Sequence, residues 1–403
     1  MKRSAKALLI IVVMALIPAI VKLQTAIDPQ RRQFQPGRGV SAVVTQVGNN
    51  PVVLPSQFVV GTIIGFREVV AGLLWVRAND FFHRGNYDAI VPLTRIITWL
   101  DPHQIDVYST GAWHLAYNFV DHRHRADRRY LLPAIRFLDE GIENNPSVWD
   151  LYFDQGFTMY YLKVYDYNKA AMWLKLAQEK GAPYARYTQV AHAYAKAARL
   201  DDAIRQWKSC IATAQAALKK DPKNADARHL LQVSERNLPM LLYRIEMRKD
   251  LAKHPRDVNF EAGFERIGPK KFRISGSADL PDTARIDVTL IDSDYKEPEL
   301  DKFTWEVDPN LTMVVDVGIH GLMVKDGKFD RIYNLSRDPK QYPLAADPYT
   351  LTISFDPQKA FHDVQDVTGW RGEGITDKRY LDTSSKGFRT IRKVIPLKRE
   401  DII

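Results

Sequence analysis

With Cys210 as its one cysteine in 403 residues, the chain has no intrachain disulfide. Thiol count therefore says nothing about an oxidising or reducing compartment. The same scarcity excludes a lipidated N-terminal cysteine. No paired Cys-x-x-Cys, no Walker loop and no serine nucleophile elbow occurs, which weighs against an enzyme of those types. Negative charge is also short: 57 Lys and Arg outweigh 48 Asp and Glu to give +9. That excess is spread thinly, as on a solvated surface, and calls for no nucleic-acid partner. Disorder throughout is excluded by a hydrophobic content of 45%, and the length suits two or three domains with a sizeable core.

What is present begins at the N-terminus. Lys2, Arg3 and Lys6 precede an apolar run over 7–21, the order of a signal sequence or an uncleaved signal anchor. Letting Lys22 snorkel and adding Leu23 gives roughly 26 Å of helix, near the lower limit for a hydrocarbon core. Small residues are not cleanly paired for cleavage between Ala15 and Ala26, which favours retention. Lys22, Arg31 and Arg32 lie on the far side and weaken the charge asymmetry. The expectation is a signal anchor or signal peptide over 1–27, with membrane contact through 7–23. It places the chain as a single-pass protein of a bacterial-type cytoplasmic membrane, its bulk extracytoplasmic.

Residues 28–56 carry Pro29, Pro36, Pro51 and Pro55 with Gly37, Gly39 and Gly48 and no sustained apolar period, the composition of a linker. From 57 to about 256 apolar residues recur at three and four, broken by short Gly, Asp or Pro turns, which predicts an all-helical region. Beyond Pro255 the period becomes two. Strand-like runs fall at 271–277, 284–292, 303–307, 312–319, 321–335, 349–355 and 388–397. Asp326-Gly327 between Val324 and Phe329 signals a two-residue hairpin turn, since both central positions need positive φ. The expected fold is multidomain, a helical array followed over 257–403 by an antiparallel Ig-like β-sandwich, with 358–385 as long loops.

The helical region repeats itself. Tyr187, Val190, Ala191, Tyr194, Ala203, Trp207 and Cys210 alternate large and small residues at the spacing of two antiparallel helices. Upstream, Tyr152 and Gly156 lead to Ala170, Leu174 and Ala177, and Tyr108 and Ala112 lead to Ala134, Leu138 and Gly141. The second of these copies carries an insertion of about ten residues around Val120. A first copy contains Leu73, Gly85, Ala89 and Leu93, with Arg77 and Asp80 at positions that depart from the pattern. Small residues are needed where two helix backbones cross, and large ones fill the grooves beside them. The stretch 225–253 is helical without the pattern, as a capping element is.

With four alanines at 89, 134, 170 and 203, near the 34-residue period, the region resembles the tetratricopeptide-repeat (TPR) family. The resemblance implies an α-solenoid whose groove binds peptide or protein segments, with no catalytic residues to carry over.

Other constellations have plainer readings beside them. His122-Arg123-His124 with Arg125 sits in the insertion. It is read as a solvated basic turn and a possible partner contact, with no third ligand for a metal in view. Asp287, Asp292, Asp294 and Asp301 lack a calcium-loop signature, and Asp363, Glu373 and Asp377 are read as solvent contacts over a hydrolytic pair. Trp370, in Gly369-Trp370-Arg371-Gly372-Glu373-Gly374, is a glycine-permitted loop residue offered as a second partner contact. Cys210 is a packing thiol at a small-residue position. No catalytic residue, metal ligand or cofactor site is assigned. The functional expectation is a non-enzymatic, membrane-anchored scaffold for protein partners. A cell-envelope glycan-binding protein, motivated by Trp305 and Trp370, is the alternative, with a metal-dependent enzyme behind it.

Overall fold

The computed structural model describes residues 44–47, 50–53, 66–85, 90–118, 130–295, 312–337, 344–385 and 387–403. The expected anchor over 7–23, most of the linker, Ala89, His122, His124, Arg125, Asp301, Trp305 and the run 303–307 lie outside them. Among the described residues no helix is long and apolar enough to cross a membrane. Two compact units form, one of residues 1–111 with 300–305, the other of 112–299 with 306–403.

In the first unit strands β1 (Val44–Val47) and β2 (Asn50–Val53) pair antiparallel, within the expected linker. Helix α1 (Arg67–His83) packs on α2 (Ile90–Leu100). Val70, Ala71, Leu74 and Ala78 make the buried face of α1. Leu73, expected to pack inward, is 62% exposed. The correction is one residue of register: the inward stripe at three and four runs through Leu74, which turns its neighbour outward.

Helix α3 (Ile105–Trp113) continues as a π-helical stretch, His114–Asn118. The second unit carries α4 (Leu131–Asn144), then α5 (Trp149–Phe153), which runs on as a longer π-helical stretch, Asp154–Val164. After it come α6 (Tyr167–Glu179), α7 (Tyr187–Lys196), α8 (Leu200–Lys220) and α9 (Ala225–Arg248). From the longer π stretch onward each helix packs on the next. Local chemistry sets the ends. Asp166 accepts from Lys169 N at 3.0 Å and Asn224 from Ala227 N at 2.9 Å, so both helices start on a side-chain cap. Asp201 and Asp202 open α8 and Lys219 and Lys220 close it, each sign at the favourable end of the helix dipole.

The crossings follow from residue size. Ala134, Ala170 and Ala203 are fully buried, as are Ala191, Val190 and Cys210 or nearly so, with Trp207 beside them. Tyr187 and Tyr194 are half-buried and pack at the edges of the same clusters. At Gly156 an added Cβ would lie 2.9 Å from both the Leu174 backbone nitrogen and its Cγ, so the π stretch approaches α6 closely only because that side chain is missing.

The C-terminal region holds antiparallel sheets around one apolar core. Strands β4 (Glu261–Gly268), β5 (Lys271–Ser277) and β9 (Lys328–Asn334) form one sheet in that order. The other runs β12 (Leu381–Asp382), β13 (Thr390–Leu397), β10 (Tyr349–Phe355), β6 (Arg285–Asp292), β7 (Thr312–Asp316), with β8 (Leu322–Met323) also on β6. Short strands β3 (Arg256–Asp257) and β11 (Ile375–Thr376) pair in parallel. Buried residues alternate along β10, and β10 lies between β13 and β6 in full register. The hairpin turn forms with φ of 50° at Asp326 and 70° at Gly327, both in the left-handed region that the turn type requires.

Two elements differ from expectation. β4 precedes the first expected strand; it is an edge strand whose exposed residues outnumber its buried ones, so it lacks a clear period-two signal. Helix α10 (His362–Thr368) occupies part of the expected loop region. At seven residues it is too short for an apolar period to register.

Candidate functional site

A dense polar arrangement of the second unit lies where α7 and α9 meet α10 and the loop after it. The geometry starts with glycine. Gly369 ends α10 at φ +87°, and a Cβ there would meet the Glu373 carboxylate at 2.4 Å; Gly372, at φ +77°, passes 2.2 Å from the Arg389 carbonyl measured the same way. The chain therefore turns back sharply. That turn drives Trp370 into the helical array, where it packs with Ala191, Ala195, Ala198, Ala203, Trp207 and Leu241. The small residues on α7 are what leave room for an indole.

Around it the charged groups interlock. Arg248, itself 2% exposed, places its guanidinium 4.0 Å over the Trp370 ring. Its Nε donates to Asp366 at 3.0 Å and its Nη2 to both Asp366 and the His362 carbonyl. Lys196, at the end of α7, donates to the carbonyls of Gln358 at 3.3 Å and Ala360 at 2.5 Å, and Gln358 Nε2 returns a bond to the Lys196 carbonyl at 3.0 Å. Arg371 donates to the Ala198 carbonyl at 3.2 Å. Farther along, Tyr165 lies against Gly318, where a Cβ would meet its hydroxyl at 2.1 Å. Lys359 sits over the Tyr165 ring at 5.3 Å and pairs with buried Asp287 at 2.6 Å. Helices and sheets of this unit thus share a buried joint.

Burial sets the proton affinities. It pulls the Lys196 ammonium down to about 8, against the attraction of Asp356, and raises the Asp356 carboxyl, which Lys359 partly offsets. His362 falls to about 4, through burial first and then through Arg244, Lys196, Arg248 and His192. His192 falls too, for the same leading reason. Buried imidazoles among cations stay neutral.

The residues singled out from sequence now have places. Trp370, offered as a partner contact, is 4% exposed: its ring fills the interhelical core, because the glycine turn directs it inward, and it presents no stacking face to a ligand. Asp287 accepts from Lys359 and Gly318 N. Asp292 accepts from Asp294 N at 2.9 Å, within one turn. Asp377 accepts from the backbone of Phe260, Arg379 and Tyr380, Glu373 from that of Arg371, and Asp363 from the Thr283 hydroxyl. These carboxylates are held by their own neighbourhoods. Among the described residues no three His, Cys, Asp or Glu side chains are grouped to hold a metal ion.

Sequence reasoning missed Arg248, His362 and Gln365. The signal for Arg248 was available: Leu230, Ser234, Leu241 and Arg248 share the buried face of α9, so a guanidinium stands where the period calls for an apolar side chain. For the α10 residues no local signal exists.

A second feature is exposed. Met240, Tyr243 and Met247 recur at three and four on α9, with Leu242 beside them; all are exposed, Tyr243 at 68%.

No family model matches the chain, and no curated protein matches it. Among solved structures it is similar to the crystal structure of a thermophilic TPR protein from Thermus thermophilus, at 20% identity and a TM-score of 0.28, covering 44% of this chain and 95% of that one.

Proposed function

We propose that the protein is a non-catalytic scaffold, held at a bacterial-type membrane by its N-terminal apolar run and displayed outside the cytoplasm, which binds protein partners through its helical repeats. In this reading the helices form an α-solenoid of TPR type and the C-terminal sheets an Ig-like sandwich. The observation that carries the reading is the exposed apolar row Met240, Tyr243 and Met247 on α9, since apolar groups gathered on the outside of a folded unit mark contact surfaces. The inner face beside α7 is filled by the chain's own Trp370 and Phe388, so the outer side of α9 is the side left for a partner.

The test places a photo-crosslinking residue at Tyr243 in the full-length protein in its native membrane. Discrete adducts that vanish on Met247→Glu, with an unchanged melting temperature, support the scaffold. Only solvent quenching at that position, with partners captured elsewhere or not at all, overturns it. Burial of Trp370 takes away half of the motive for the glycan-binding alternative.

A further inference from the structure

Four polar atoms at the joint are buried without a hydrogen-bond partner: Arg248 Nη1, His362 Nδ1, Gln365 Oε1 and Trp370 Nε1. They belong to one neighbourhood. Arg248 covers the Trp370 face at 4.0 Å, its Nη2 reaches the His362 carbonyl at 3.0 Å, and the His362 and Trp370 rings meet edge to face at 6.4 Å. Gln365 follows His362 by one turn of α10. Its amide orientation is settled, because Nε2 donates to the Pro357 carbonyl at 2.9 Å and a carbonyl needs a donor; the oxygen is therefore the atom left over.

Native interiors rarely leave even one such group unsatisfied, and a shared guest is the common solution. The valences say which guest. Arg248 Nη1 and Trp370 Nε1 are donors, Gln365 Oε1 is an acceptor, and the Nδ1 of a neutral imidazole accepts when its proton sits on Nε2. Two donors and two acceptors are the complement of one water molecule. A halide or a carboxylate accepts only and would face the Gln365 oxygen; an ammonium donates only and would face the guanidinium.

We propose that Arg248, His362, Gln365 and Trp370 enclose a site for a single buried water, which links α9 to α10. The water belongs to the joint and is independent of any partner bound on the outer side of α9.

Two measurements test this. In a double-mutant cycle, Gln365→Met keeps an unbranched side chain of similar length and Trp370→Phe keeps a smaller aromatic ring, while each removes one bond to the guest. The bond from Gln365 to Pro357 is lost in both arms and cancels. The indole volume lost at position 370 cancels in the same way, so the pair is expected to lower the folding equilibrium constant several-fold less than the product of the two single effects, because the second change loses a guest bond already weakened by the first; a pair effect equal to that product overturns the shared site. Crystals of the protein grown in sodium bromide give the second answer. A water peak within hydrogen-bond distance of at least three of the four atoms supports the proposal. An anomalous bromide peak there, or direct bonds among the four side chains with nothing between them, refutes it.

Discussion

The guanidinium of Arg248 lies 4.0 Å above the ring of Trp370, with the two side chains at positions 122 residues apart in the chain. One belongs to α9 and the other to a glycine turn of the C-terminal region, so the pair closes the joint from both sides. Removing the indole leaves a cavity and strips the cation of its apolar cover. Trp370→Ala is expected to destabilise the second unit by about 3–5 kcal/mol, and Trp370→Phe by much less. Urea unfolding monitored on the remaining tryptophans measures both, and equal stability of wild type and Trp370→Ala would show that the joint carries no load.

Two helical glycines make a matched comparison. At Gly156 a Cβ collides with the Leu174 backbone, whereas at Gly72 on α1 nothing lies within 4 Å. Gly156→Ala is expected to cost about 1–3 kcal/mol, as overpacking does, and Gly72→Ala to stabilise its helix by roughly 0.5–1 kcal/mol. Opposite shifts in thermal midpoint are the expected outcome; shifts of the same sign would place one of the two glycines in the wrong environment.

His362 supplies a pH dependence. Its ordinary value of 6.5 falls to about 4 in the fold, so the folded state favours the neutral ring. That contribution is complete above about 6.5 and is lost as pH falls from there through 4. Arg244 and Arg248 of α9 and Lys196 and His192 of α7 oppose the added charge, and Asp366 stands one turn along α10. Carboxyls raised by burial, Asp139 and Asp356, titrate with the opposite sign. The quantity to measure is therefore the difference between wild type and His362→Gln, which is expected to shrink between pH 6.5 and 4. A difference constant across that window counts against a buried neutral imidazole.

Cys210 is buried, and burial pushes its thiol up to about 11. At pH 8 the thiolate fraction is then smaller than that of a free cysteine by on the order of 100-fold. Reaction with a disulfide reagent is expected to follow the unfolding rate, slow in buffer and fast in denaturant. Immediate labelling of the native protein would contradict the packing assigned to α8.

Much of the architecture was legible because it is written in short-range periodicity. Ala170, Leu174 and Ala177 on α6 and Ala203, Trp207 and Cys210 on α8 recur at helical spacing, β5 and β10 alternate, and Asp326-Gly327 names its own turn. The register of α1 was misread by one residue, since Leu73 and Leu74 are chemically alike and only the neighbouring buried residues choose between them. Most of the joint was not legible. Its members come from 192–196, 248 and 358–373, and no local pattern tells a tryptophan in a glycine loop whether it will face solvent or a pocket of alanines on a distant helix. The one clue was an arginine in an apolar stripe.

Several bonds across the joint end on main-chain carbonyls: those of Gln358 and Ala360 for Lys196, Ala198 for Arg371 and His362 for Arg248. A carbonyl is supplied by whichever residue occupies the position. Over evolutionary time Ala198 and Ala360 are thus constrained as acceptors only through their main chain, and selection on the polar contact falls on the three cations, on the Asp366 carboxylate that accepts from Arg248 and on the Gln358 amide that donates to the Lys196 carbonyl.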